Sequence, residues 1–162
     1  MAITIAVETP LQDDVRGLVA ELNAYLIPLT PREFQFQLTV EQMAEPSVTL
    51  FVARDAEGRS IGMGALKEHG DGLGEVKRMY TLPSARGQRI GQQVLQRIEN
   101  LARQKGITRL VLETGEATGY EPAWRVYERG GFTVCGAVLD YPDSGYSRFY
   151  EKKLAAEGAL GA

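Results

Sequence analysis

The sequence predicts an α/β fold: one domain on a mixed seven-stranded sheet with helices on both faces. Short runs rich in β-branched and apolar residues recur along the chain, bounded by Gly, Pro and Asp, as strands are. Between them, residues 10–27 and 88–105 carry apolar side chains at helical spacing. The segment 75–91, EVKRMYTLPSARGQRIG, passes from a strand through a glycine-containing loop directly into the longer helix.

The elements follow in order. ITIAV at 3–7 is the first strand. Thr9 offers an N-cap and Pro10 a first helical position, with Asp13 and Asp14 in the first turn. Val15, Leu18, Val19, Leu22 and Leu26 line the helix, which Pro28 and Pro31 break. Thr30 and Glu33 have capping-box spacing for a further short helix, residues 34–38 alternate ambiguously, and Thr39 precedes a short helix at 40–44. Strands at 48–54 and 60–67 flank the turn Asp55-Ala56-Glu57-Gly58. Gly70, Gly72 and Gly74 mark a loose turn before a fourth strand at 75–82, which Pro83 stops. The long helix presents Ile90, Val94, Leu95, Ile98, Leu101 and Ala102 to the core and ends at Gly106, a natural C′ residue. A strand at 108–114, a helix at 122–129 and strands at 132–140 and 147–153 complete the order β-α-(α)-β-β-β-α-β-α-β-β. The domain spans 3–154, and 155–162 is expected to be a frayed tail.

Composition narrows the function. The chain of 162 residues is 44% apolar and 24% charged, ordinary for a globular domain large enough to bury a core. Its net charge of −3 does not favour a nucleic-acid partner. No apolar run approaches membrane-spanning length, and MAITIAVETP lacks the pattern of a signal peptide, so a cytoplasmic location is expected. One cysteine, Cys135, excludes an intramolecular disulfide, and one cysteine with one histidine cannot make the usual zinc site, so no metal is expected.

The loop at 86–91 is the candidate for chemistry. A helix N-terminus carries unpaired N–H groups and partial positive charge, and glycine lets a phosphate come close. GxxxxGK[ST] is absent, which excludes a nucleotide P-loop. Gly62-Met63-Gly64 lies on a strand without the third glycine or following helix of a dinucleotide fingerprint. Arg86-Gly87-Gln88-Arg89-Ile90-Gly91 resembles the R/Q-x-x-G-x-G/A acyl-CoA loop of the GNAT superfamily of N-acetyltransferases, with Arg89 replacing the central glycine. Either the loop turns there without positive φ, or Arg89 adds charge near the cofactor phosphates. Downstream, AWRVYERGGF at 123–132 resembles the A-x-x-x-Y-x-x-x-G-F element of the same superfamily. The ordered pair covers about 75–132 and identifies the chain as similar to small bacterial single-domain members.

The resemblance implies the GNAT fold, in which parallel fourth and fifth strands splay and acyl-CoA lies in the gap. It implies acetyl-CoA as acetyl donor, bound by backbone N–H groups of Gly87, Gln88, Arg89, Ile90, Gly91 and Gln92, with Arg86 beside them. Met79, Tyr80 and Thr81 are implied along the fourth strand, Met79 offering its backbone N–H to the acyl carbonyl and Thr81 pairing with pantetheine amides. Tyr127 is implied near the cofactor sulfur, as general acid or as a positioning residue, against the plainer reading of a packed aromatic. Glu75, eleven residues before Arg86, holds the offset of a base glutamate, acting directly or through water, against a solvated strand-end residue. Glu113 and Thr114 face the same gap, with a structural hydrogen-bonding role preferred. His69 reads as solvated surface, Cys135 as a small buried residue and Trp124 as packing.

The resemblance also implies that the acceptor is set by residues 23–36 and by the turn at 140–148, where Tyr141, Asp143 and Tyr146 are candidate contacts. The leading reading is acetyl transfer to a primary amine of a small molecule by direct ternary-complex attack. A protein lysine or N-terminus as acceptor, and a non-catalytic acyl-CoA-binding module, stand as alternatives. A homodimer is possible by resemblance.

Overall fold

Apolar side chains on both faces of the sheet recruit separate helices. The computed structural model describes residues 2–154, so the expected frayed tail lies outside the described residues. The strands are β1 (Thr4–Val7), β2 (Val48–Arg54), β3 (Ser60–Gly70), β4 (Leu73–Thr81), β5 (Arg109–Gly115), β6 (Thr133–Cys135) and β7 (Ser147–Lys153). The helices are α1 (Asp13–Leu26), α2 (Val40–Met43), α3 (Ile90–Gln104) and α4 (Glu121–Arg129). One seven-stranded sheet runs β1-β2-β3-β4-β5-β7-β6.

Val15, Leu18, Val19 and Leu22 of α1 pack with Leu50, Val52, Met63 and Ala65 on one face. Ile90, Val94, Leu95, Ile98 and Ala102 of α3 pack with Leu66, Val76, Leu110 and Leu112 on the other, joined by Tyr127 of α4. Gly62 and Gly64 serve this packing: a Cβ on Gly62 would lie 2.9 Å from Ile90 Cγ2, and one on Gly64 would lie 2.7 Å from Val94 Cγ1 and strike Met79 Sδ. No described helix is long and apolar enough to cross a membrane.

Every strand pair is antiparallel except β4–β5, which is parallel and confined to Leu73–Glu75 against Arg109–Val111. Beyond Glu75 and Val111 the two strands share no further ladder pairs. A β-bulge helps to shape β4 there. Ala65 pairs with Lys77 and Met63 with Tyr80, so Gly64 faces two residues, Arg78 and Met79. Arg78 takes φ +56° to make the bulge. The extra residue resets the alternation: Lys77 pairs with Ala65 of the α1 face, Met79 packs toward α3, and Tyr80 returns toward α1.

Several local expectations are corrected. The N-cap of α1 is Gln12, not Thr9. Arg54 bonds Glu8, Gln12 and Asp14 together, and Gln12 Nε2 donates to the Thr9 carbonyl at 2.8 Å, which holds 8–12 as a turn ahead of the helix. No box forms at Thr30 and Glu33; with prolines at 28 and 31 the chain makes two single 3-10 turns, Ile27–Leu29 and Arg32–Phe34. The capping box belongs to Thr39 and Gln42. The third strand extends to Gly70, and the loose turn is a tight hairpin in which Asp71 (φ +55°) and Gly72 (φ +77°) supply the two positive-φ positions of a type I′ turn. The sixth strand is three residues, not nine, because Leu139 turns with φ +53° and Val138 folds in against Val111 and Phe149.

Candidate functional site

The splay of β4 from β5 opens a gap of about 490 Å³ whose walls come from β4, β5, α1, α4 and the start of α3. Beyond Glu75 the β4 backbone has lost its β5 partner, which leaves strand-edge amide groups for an extended ligand.

One end of the gap suits phosphate. Gln93 N–H is the first in α3 to bond within the helix, to Arg89 O at 3.1 Å. The preceding N–H groups of Ile90, Gly91 and Gln92 therefore point out of the helix start. Arg89 itself adopts φ +59°, so the loop does need a left-handed residue where the family motif has glycine. That overturns the reading in which the loop turns without positive φ; the exposed Arg89 side chain borders the gap's cationic end. Gly91 meets α4, its would-be Cβ lying 3.2 Å from Val126 Cγ2. Gln92 spends its side-chain amide on Val126 O at 2.9 Å, tying α3 to α4. Gln88 is not among the lining residues; its carbonyl accepts from Gln93 Nε2 at 3.3 Å. Arg86, Arg89, Arg125 and Arg129 all border this end. Arg125 and Arg129 escaped the sequence reading, although their i,i+4 spacing on α4 sets both near the loop.

Met79, Tyr80 and Thr81 line the middle of the gap, facing Tyr127 of α4. Tyr127 is 6% exposed and lies within ring contact of Phe132 and Tyr150. Burial first, then the charge of Glu113, pushes its phenol well above the ordinary value, so it holds its proton at neutral pH.

The other end is aromatic and carries three charged residues of interest. Phe34 stacks on Tyr146 with centroids 4.8 Å apart, joining the α1–α2 connection to the β6–β7 turn. Tyr120 borders the same space and shares a 3.1 Å hydrogen bond with Thr30. Glu113 lines the gap and accepts from Ser147 Oγ at 2.6 Å; burial raises its pKa. Lys77 also lines the gap, as does Arg78.

Glu75 does not itself line the gap. It is 2% exposed, so the alternative of a solvated strand-end residue is corrected. His69 Nε2 lies 2.9 Å from its Oε1, while Lys77 Nζ at 3.2 Å and the Tyr141 hydroxyl at 2.5 Å donate to its Oε2. Lys77 also donates to the Tyr141 oxygen at 2.6 Å, closing a triangle. His69 is exposed as expected, and the tight hairpin also brings its ring onto Glu75. Trp124 is half-buried, its Nε1 donating to Gly115 O at 2.9 Å and its ring covered by Arg148, and Cys135 is partly exposed on the short β6. Among the described residues no group of three or more His, Cys, Asp or Glu could hold a metal ion.

Residues 16–132 match the model of the acetyltransferase (GNAT) family. The chain is 41% identical over 153 residues to an IAA acetyltransferase of Azospirillum brasilense, covering 94% of this chain and 98% of that one. It is 37% identical to the uncharacterized N-acetyltransferase YsnE of Bacillus subtilis (strain 168), over 88% and 97% of the two chains. A crystal structure from Klebsiella pneumoniae subsp. pneumoniae MGH 78578, assigned to the acyl-CoA N-acyltransferases, superposes with a TM-score of 0.79 at 31% identity, over 94% and 98% of the chains. The PaiA N-acetyltransferase of Thermoplasma acidophilum, solved in complex with coenzyme A, shares the fold with a TM-score of 0.70 at 19% identity, over 94% and 99%. The splayed parallel strands, the loop that opens α3 and these full-length likenesses converge: the chain belongs to the GNAT family of acetyltransferases, the acyl-CoA-dependent acyltransferases.

Proposed function

We propose that the protein transfers an acetyl group from acetyl-CoA to the primary amine of a small molecule, by direct attack within a ternary complex. The observation that carries this reading is the two-ended gap: a helix start ringed by four arginines at one end, an aromatic chamber with a buried carboxylate at the other, and Tyr127 between. The name of the Azospirillum relative supports acetyl as the group moved. The Phe34–Tyr146 stack across the acceptor end supports a small acceptor over a protein loop. Nothing in the gap offers a side chain with an activating base for a covalent acyl intermediate, since Cys135 lies on β6 away from the lining.

The residues present fit the donor. The N–H groups of Ile90, Gly91 and Gln92 with Arg86 and Arg89 hold the phosphates, and the free edge of β4 at Met79 to Thr81 holds the amides. Acetyl-CoA, when bound, supplies the thioester whose C–S bond breaks as the acceptor nitrogen forms its C–N bond. Glu113, raised in pKa yet still a carboxylate-type base, takes the proton that the ammonium must lose before it can attack. Tyr127 gives its phenolic proton to the departing sulfur. Glu75 serves this site at one remove: it holds Lys77 and Tyr141 in place beneath the acceptor.

Thiol release from acetyl-CoA, measured against amino acids, polyamines, aminoglycosides and lysine peptides, tests the reading. Release with a small amine and not with peptides is expected; peptide preference would refute the small acceptor, and background release throughout would refute the transferase. Tyr127→Phe is expected to lower kcat about a hundredfold or more while acetyl-CoA affinity stays unchanged; unchanged kcat would remove Tyr127 as the acid.

A further inference from the structure

Arg78 has no evident structural reason to be an arginine. It sits at the bulge of β4 with φ +56°, a conformation that favours glycine or asparagine, and it is 7% exposed. Its guanidinium forms no salt bridge among the described residues. One Nη donates to Asn23 Oδ1 of α1, and Nε is buried without a partner. A permanent cation held in a wall of the gap, with an unsatisfied donor, is costly unless something negative arrives. The contrast with its neighbour is instructive: Lys77, next in the chain and also in the wall, is neutralised by Glu75.

The position of Arg78 selects the ligand. The bulge turns it to the α1 side, onto Asn23 of the acceptor segment, while Met79 beyond it turns to the α3 side. It is removed along β4 from the arginines of the loop, which serve the phosphate end. Glu113 of β5 lines the same gap, as do Phe34 and Tyr146, which stack on each other. We propose that Arg78 binds the carboxylate of the acceptor, so that the acceptor is an amino-carboxylic acid with an apolar or aromatic body. Arg78 forms a charge-assisted pair with the carboxylate, Glu113 faces the amine, and the Phe34–Tyr146 wall takes the body. This deepens the proposed function and rests on the small-amine reading.

The test compares acceptors in matched sets: leucine, phenylalanine and tryptophan, each beside its carboxamide and its decarboxylated amine, at saturating acetyl-CoA. At least one free amino acid is expected to exceed its amide and amine by about a hundredfold or more in kcat/KM, because a site built around a buried charged donor rejects the analogue that leaves it unpaired. Arg78→Gln is expected to erase that preference through KM, with the acetyl-CoA KM unchanged, and Arg78→Lys to restore part of it. Equal use of acid, amide and amine by the unmodified protein would overturn the proposal without reference to any variant. Succinyl-CoA preferred over acetyl-CoA, with the preference lost in Arg78→Gln, would also overturn it by assigning the carboxylate to the donor. Calorimetric titration of the same amino acids and amides into the protein with coenzyme A separates this inference from the transferase reading. Carboxylate-selective binding without turnover supports Arg78 while refuting transfer, and no selective binding at millimolar concentration overturns Arg78.

Discussion

Removing the Glu75 carboxylate tests whether that residue is a counter-ion or a base. In the structure it is 2% exposed and neutralises Lys77, whose side chain is 10% exposed. Glu75→Ala leaves that buried ammonium without its paired carboxylate and strips the Tyr141 hydroxyl of its 2.5 Å acceptor. Breaking one side of a buried pair costs about 3–5 kcal/mol. For a domain of this size that corresponds to a fall in Tm of roughly 6–20 °C. Since domains are stable by about 5–15 kcal/mol, the variant is expected to fold but melt early. Glu75→Ala/Lys77→Met removes both charges and is expected to recover at least about 2 kcal/mol of the loss. Urea denaturation gives the stabilities, and the pH profile of kcat/KM gives the catalytic readout. The reasoning is refuted if Glu75→Ala stays within about 1 kcal/mol of the unmodified protein and at the same time loses the basic group from its pH–rate profile. That result would place Glu75 against the acceptor and restore it as the base.

Other perturbations bear on the same architecture. Arg89→Gly relieves a left-handed arginine and is expected to add up to about 1 kcal/mol of stability while weakening coenzyme A binding; a titration and a denaturation curve read the two effects, and loss of stability would contradict the strain argument. Gly64→Ala forces a methyl group into Met79 and Val94 and is expected to cost about 1–3 kcal/mol, so a neutral result in a thermal melt would show that the bulge is not tightly packed against α3. Glu113 titrates higher in the folded protein than in the unfolded chain because it is buried. Its contribution therefore favours folding most below the unfolded carboxyl pKa and fades as pH rises through the folded value. Glu113→Gln should then gain stability relative to the unmodified protein as pH rises through and above the ordinary carboxyl range, and a gap that is flat or shrinks with pH would argue against that burial.

The order of elements was legible because periodicity is a local property: Val15 to Leu26 and Ile90 to Ala102 announce their helices whatever surrounds them. The loop proposed for phosphate was legible for the same reason, since a glycine-containing loop running into a helix is contiguous in sequence. The Asp71-Gly72 hairpin is also local: Asp-Gly between two strands is the signal of a type I′ turn, masked in the sequence by the glycines at 70 and 74. By itself, then, the sequence determined the fold class, the position of the loop proposed to hold the cofactor, and the family. The tertiary structure alone decided the acceptor end. Whether Glu75 meets solvent depends on His69 returning across a hairpin and on Tyr141 arriving from 66 residues away. Whether Arg78 is a surface residue or an unpaired buried cation depends on a bulge against Gly64 and on α1 lying above it. Charges in the chain are listed by their order, but their desolvation and pairing are set by contacts distant in sequence, and those contacts shape the acceptor end of the site.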